Sequence, residues 1–296
     1  GGGGGGGAGG GVDLFTLLAE CLAFIFVSLP VHIAASMGLC AHPPPPLTEL
    51  QKLRLGRLAA RAVPPFNADD AAHVHALKEL WRLSFPGRAL PALKCPEWKE
   101  MGWQGSDPAT DFRSGGLLSL ENLVWFADKQ PRVYARLMGK ADGARSEWEY
   151  PFAAAGVNIT FQLVDLLELR DKSKKKKTHT QLAPTNGSNG NGGSSNGGSS
   201  SGSGDASEPP VALPVPTSPA AAAFVDALAE HDDAFERLYV AWFEVLDREW
   251  LAQRATYMEF TQVMGAARKS VARALERAGR RKGGATVLGV REELGL

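Results

Sequence analysis

The sequence predicts an all-α fold, and three observations carry that prediction. Apolar residues recur at three- and four-residue steps in one stretch after another. Several of those stretches open on helix-start chemistry: an Asx residue with acids behind it, or a proline in the first turn. No convincing run of alternating apolar and polar residues, the mark of a half-buried strand, occurs along the 296 residues.

Taken in order, residues 1–11 are glycine apart from Ala8 and form a low-complexity start without an initiator Met. This reads as the edge of a fragment, so any targeting segment upstream lies outside the sequence. Residues 12–46 are an apolar segment closed by a proline connector. Within it, Cys21–Cys40 holds no acid, Lys or Arg and approaches the length of a bilayer span. Pro30 and His32 lie mid-segment, so two readings stand: a buried helix broken at Pro30, or a membrane anchor. The prolines 43–46 follow as a stiff spacer.

Residues 47–170 read as the first part of a helical domain. LTELQKLRLGRLAARA places Leu50, Leu53 and Leu58 among charges. NADDAAHVHALKELWRL offers Asn67 as an N-cap and Asp69 and Asp70 in the first turn, then Val74, Leu77, Leu80 and Trp81 at helical steps. Its His73 and His75 are two apart and do not share a helix face, so they make a poor metal pair. LLSLENLVWFADKQ carries a stripe of Leu117, Leu120, Leu123, Val124 and Ala127. Pro131 suits a helix's first turn. EYPFAAAGVNITFQLVDLLEL is apolar on most faces and reads as the central helix, which makes its Asn158–Thr160 glycosylation pattern a chance match.

Composition then breaks. Residues 171–220 hold the lysine run Lys172–Lys177, a tract of only Thr, Asn, Gly and Ser from Thr185 to Gly204, and proline-rich text. Such a stretch has too little apolar surface to fold, and about fifty residues of it would span roughly 40 Å root-mean-square. The lysine run reads as solvated linker, with a nuclear signal or contact with anionic lipid as the functional readings. Residues 221–284 resume the helical text, with Phe235, Leu238, Tyr239, Trp242, Leu246 and Trp250 on one face of one helix. A final helix runs from Trp250 to a basic end, and 285–296 is left as a tail. Asp232 and Asp233 read as solvated helix face.

Composition excludes several function classes. Thirty-two basic and 32 acidic residues cancel, which argues against a general nucleic-acid binder. The three cysteines are scattered without CxxC spacing, so neither a disulfide framework nor a zinc site is suggested, and a reducing, cytoplasmic setting fits best. Phosphate-binding, metalloprotease, nucleophile-elbow and dinucleotide motifs are all missing. No self-contained catalytic constellation emerges.

One loop stands out: GWQGSDPATDFRSGG, residues 102–116. Gly102, Gly105, Gly115 and Gly116 permit positive φ and close approach of another backbone. Asp107 before Pro108, then Thr110 and Asp111, supply side-chain acceptors that stiffen turns. Phe112 is placed to anchor the loop in the core. Arg113 is left between that anchor and the glycine pair. A planar, permanently charged fork on a rigid loop suits a partner's phosphate oxygens. The alternative is that Arg113 pairs internally with Asp111 or Asp107.

These residues also carry a resemblance. Trp98, then Gly102-Trp103-Gln104-Gly105, Asp107-Pro108, Thr110-Asp111-Phe112-Arg113, Gly115-Gly116 and Leu118 resemble the signature of the ELMO (engulfment and cell motility) domain family. HALKELW, LSLENLVWFA, EYPFAAAGVNIT, AFERLYVAWFEVLDREW and ATYMEF agree in order. The resemblance covers roughly residues 47–170 and 221–280. It implies a single multi-helix domain interrupted by the insertion.

The functional implication divides. One branch of the family comprises GTPase-activating proteins for Arf and Arf-like GTPases, which use the arginine that matches Arg113. The resemblance then implies an arginine finger given in trans, with Gln104, Gly105, Asp107, Thr110, Asp111, Phe112, Gly115 and Gly116 shaping the loop or touching the partner. The nucleotide and Mg²⁺ belong to the partner GTPase, and the chain itself needs no cofactor. The other branch lacks the arginine and comprises scaffolds for DOCK-type Rac exchange factors. The retained Arg113 favours the first branch, acting in the cytoplasm or at internal membranes, with membrane contact through Cys21–Cys40 or Lys172–Lys177. Two positions depart: Ser114 stands where the family usually has Gly, and Trp103 where Phe is common. Ser114 would stiffen the turn directly after the arginine.

Overall fold

The computed structural model describes residues 46–139, 149–170 and 213–296. The chain divides into two units, Gly1–Pro46 and Leu47–Leu296, and everything below concerns the second. Its described residues form nine α-helices and short 3₁₀ turns, with no strand among them.

Helix α1 (Glu49–Arg61) starts on a capping box in which Thr48 and Gln51 satisfy each other's backbone N–H groups. Its buried face is Leu55, Leu58 and Ala59, whereas Leu50 and Leu53 are exposed. The apolar stripe expected through Leu50 and Leu53 is therefore corrected: the buried face begins one turn later. Helix α2 (Ala71–Ser84) is capped by Asp70, whose Oδ1 accepts the N–H groups of Ala72 and His73 at 2.8 and 3.3 Å. Asn67, expected as the cap, instead forms an Asx turn one step upstream, accepting the Asp69 N–H at 2.9 Å. These two N–H bonds hold the Asp70 carboxyl below its usual range.

Helices α3 (Gly116–Lys129), α4 (Pro131–Met138) and α5 (Phe152–Leu166) follow, then α6 (Pro219–Glu230), α7 (Ala234–Gln253), α8 (Phe260–Gly279) and α9 (Val287–Leu294). α7 is the axis of the unit and packs on α3, α5, α6, α8 and α9. The face read from the sequence (Phe235 to Trp250) is buried, but so are Val240, Ala241, Phe243 and Val245 on its other sides. The central place expected for the 149–169 stretch is thus shared between α5 and α7. Their junction is aromatic: Phe152 stacks on Phe243 with ring centroids 4.8 Å apart, and Phe126, Tyr134 and Tyr239 meet them edge-on or tilted. Such pairs add about 0.5–1.5 kcal/mol each beyond area burial.

The C-terminal text also differs from expectation. The helix expected to run on from Trp250 stops at Arg254, which takes a left-handed φ of 48°. A 3₁₀ turn at Tyr257–Glu259 precedes α8. Residues 285–296, expected as a tail, contain α9, which buries Val290 and Leu294 against α7 and α8. Asp232 and Asp233 lie between α6 and α7 and pair with Arg54 and Arg237.

The expected insertion falls mostly on residues 171–212, outside the described residues. Its last residues, from 213, are among the described ones. The Glu168 carboxylate accepts the Thr217 N–H at 2.6 Å and its hydroxyl at 2.8 and 2.9 Å, with the Ser218 N–H at 3.4 Å. The two ends of the insertion are therefore fastened to each other at the C-terminal end of α5. Arg61 joins the two parts of the domain from within, pairing with Glu121 of α3 at 3.0 Å and the buried Glu236 of α7 at 2.8 Å.

Candidate functional site

The stretch read as a loop is a framed 3₁₀ turn, Pro108–Arg113. Asp107 caps it: Oδ1 accepts the Ala109 N–H at 3.1 Å, and Oδ2 pairs with Lys94 at 2.8 Å. The Thr110 hydroxyl and N–H both donate to the Asp107 carbonyl, at 2.8 and 3.2 Å. Asp111 reaches back across seven residues, where its Oδ2 accepts the Gln104 N–H at 3.0 Å. Burial pushes the Asp111 carboxyl above its ordinary value, against the opposing pull of that N–H and of the Arg113 charge.

Phe112 is the anchor the sequence indicated. It is 2% exposed and lies between Trp103 and Phe66, with centroids at 5.1 and 4.9 Å. The contact chain continues from Trp103 through Trp98 to Trp81, tying the turn to α2. Burying a phenylalanine of this kind contributes about 1.5–3 kcal/mol. The Trp103 indole N–H is buried without an acceptor. A Phe here would carry no such donor, so Trp103 adds packing area but leaves one polar group unsatisfied.

Arg113 closes the turn and is exposed. Its Nε donates to the Thr110 carbonyl at 2.9 Å, which fixes the stem of the fork. Among the described residues it forms no ion pair, and neither Nη makes a hydrogen bond. The internal pairing held open on sequence grounds is absent: Asp107 is taken by Lys94 and Asp111 by the Gln104 backbone. Gln104 and Thr110 are exposed on the same turn. Ser114 has φ −87° and ψ −42°, ordinary helical values, so a serine there costs no backbone strain.

The glycines divide into two kinds. Gly102 and Gly116 have φ of 84° and 65°, and a Cβ at Gly116 would lie 2.6 Å from the Pro64 carbonyl oxygen. Gly115 has ordinary φ, but a Cβ would come 1.8 Å from the Ser119 hydroxyl. Gly102 and Gly116 require glycine; at Gly115 a side chain would first have to displace the Ser119 hydroxyl. Gly105 does not: its φ is not positive, and the nearest atom to a Cβ is 3.9 Å away. The conformational role expected for Gly105 is corrected accordingly.

Sequence reading missed what stands behind the turn. Leu117 N–H donates to the Pro64 carbonyl at 3.0 Å, and Arg170 donates to the carbonyls of Ala62 and Ser114. These contacts join residues far apart in sequence and have no local signature. The His73–His75 pair has an ordinary structural use, with His73 Nδ1 accepting the Asn67 N–H at 3.0 Å.

Against this geometry, a sequence profile of the ELMO/CED-12 family matches residues 56–264, well over half of the chain, including the whole turn. The chain belongs to the ELMO/CED-12 family. It is similar to ELMO domain-containing protein A of Dictyostelium discoideum, 32% identical over 226 residues, or 76% of this chain and 21% of that protein. Human ELMO domain-containing protein 2 is 34% identical over 115 residues, 39% of this chain and 37% of its own length. ELMO domain-containing protein B of Dictyostelium is 31% identical over 149 residues, 50% of this chain and 48% of its own length. The chain thus spans less than half the length of each of these relatives. No helix among the described residues of this ELMO-family chain is long and apolar enough to cross a membrane. Both segments named for membrane contact, Cys21–Cys40 and Lys172–Lys177, lie outside the described residues.

Proposed function

We propose that this ELMO-family chain is a GTPase-activating protein for Arf or Arf-like small GTPases, and that Arg113 is its arginine finger. A small GTPase holds its own nucleotide and Mg²⁺ but leaves charge on the transferring phosphoryl group unneutralised. An arginine supplied in trans stabilises that charge and is worth about 10³–10⁵ in rate. The chain therefore completes a partner's active site rather than carrying one.

The observation that carries this reading is the state of the Arg113 guanidinium. It is exposed and forms no ion pair among the described residues, although Asp111 lies near enough to feel its charge, and it sits on a turn whose neighbour Phe112 is buried. Nε is spent on the Thr110 carbonyl, which leaves both Nη groups directed by a fixed stem. Preorganisation of that kind makes binding energy available where charge develops, without reordering the donor at the moment of reaction. Gln104 and Thr110 flank it as partner-contact residues, whereas Asp107, Asp111, Phe112, Gly115 and Gly116 shape the turn. Arf-class partners place this activity in the cytoplasm, at the surface of internal membranes.

The test is single-turnover GTP hydrolysis by a panel of Arf and Arf-like GTPases, with and without the full chain. Stimulation of at least one member by two or more orders of magnitude is expected. Uniform failure, together with stable binding of a DOCK-type exchange factor, would transfer the protein to the scaffold branch.

A further inference from the structure

Arg170 is an unusual arginine. It follows α5, is half-buried, and has no carboxylate partner among the described residues. Burial alone pulls its pKa down. Partial burial of a guanidinium costs it hydration that hydrogen-bond partners must replace. Here its donors go to main-chain carbonyls. Nε and Nη2 donate to the Ala62 carbonyl at 3.1 and 2.8 Å, and Nη1 reaches the Ser114 carbonyl at 3.4 Å.

Those two carbonyls belong to two segments that meet beside the Arg113 turn. Ala62 ends α1 and leads into Pro64, whose carbonyl accepts the Leu117 N–H and presses on Gly116. Ser114 is the residue directly after Arg113. The arginine therefore bridges the end of α1 and the segment directly in front of α3, at the point where the 3₁₀ turn becomes helix. Its planar fork matches two acceptors at once, which an ammonium on a flexible stem does not.

We infer that Arg170 is the positioning residue for the Arg113 turn: it clamps the Ala62 and Ser114 carbonyls, and so fixes where the finger leaves the domain. It touches no substrate. The catalytic consequence rests on the finger role proposed above; the structural consequence does not.

The experiment compares the full chain with Arg170→Ala and Arg170→Lys by hydrogen exchange, thermal melting and single-turnover hydrolysis on a GTPase that the unaltered chain stimulates. Exchange in peptides covering 113–118 is expected to rise about three- to tenfold in Arg170→Ala, the range for net loss of about one ordinary hydrogen bond, in keeping with the long 3.4 Å contact to Ser114. Peptides from α7 are expected to exchange as before, and Arg170→Lys is expected to fall between. The maximal stimulated rate should drop by a similar factor, with half-saturation unchanged. Unchanged exchange at 113–118 would overturn the inference, whether or not any GTPase responds. So would an equal rise across α7, which would make Arg170 a general stability residue, or a rise in half-saturation with the maximal rate intact, which would make it a partner contact. A chain that stimulates no GTPase sinks the finger, but the exchange result still decides the clamp.

Discussion

Arg113→Lys is expected to lower stimulated GTP hydrolysis by about 10³-fold or more while leaving the fold intact. The size follows from what is lost. A lysine keeps the charge but replaces two directed Nη donors with one compact ammonium, so bidentate contact with phosphoryl oxygens disappears. The stability cost is small because Arg113 is exposed and contributes one side-chain hydrogen bond, to the Thr110 carbonyl. A surface change of this kind stays within about 0.5 kcal/mol. The check is stimulated hydrolysis measured beside the melting temperature of the same preparation. Loss of both together would place Arg113 in the fold; retention of both would remove it from the chemistry.

The second large effect is on stability. Gly102→Ala is expected to destabilise the domain by roughly 2–5 kcal/mol, from two sources. An L-residue at φ 84° costs about 1–2 kcal/mol, and overpacking adds about 1–3. The clash cannot be relieved by a side-chain rotation, because the new Cβ would lie 2.4 Å from the Phe152 backbone nitrogen and 2.7 Å from the Pro151 carbonyl carbon. Gly102 is where the segment leading to the Arg113 turn touches the start of α5, with its own carbonyl accepting the Ala154 N–H at 3.4 Å. Gly105→Ala, three residues on, meets no atom closer than 3.9 Å and is expected to change stability by less than about 0.5 kcal/mol. Denaturant unfolding of the two variants makes the comparison. Equal effects would mean that the close approach of Gly102 to α5 is not what the glycine is for.

How far the sequence disclosed this site depends on the range of each interaction. Phe112 was legible because one aromatic among turn formers has few places to go except the core. Asp107 and Asp111 were legible as turn acceptors because Asx residues bond locally. Arg113 was singled out by its setting, and its meaning came from the motif around it. The Asn67–Asp70 boundary was ambiguous for a physical reason: both residues cap backbone N–H groups, one in an Asx turn and one at the helix start. Leu50 and Leu53 misled because a leucine-rich amphipathic helix has more leucines than its buried stripe needs. Arg170 was invisible. It precedes a lysine run, and nothing local reveals that its donors close on carbonyls 108 and 56 residues away.

The most direct test of the central claim uses a transition-state mimic. A responsive GTPase loaded with GDP and aluminium fluoride presents planar phosphoryl charge without its full complement of donors, the state an arginine finger recognises. The chain is expected to bind that form at least about tenfold more tightly than the GDP form, and Arg113→Ala is expected to abolish the difference while still melting at the same temperature. Equal affinity of Arg113→Ala and the unaltered chain for the aluminium fluoride complex would contradict the account.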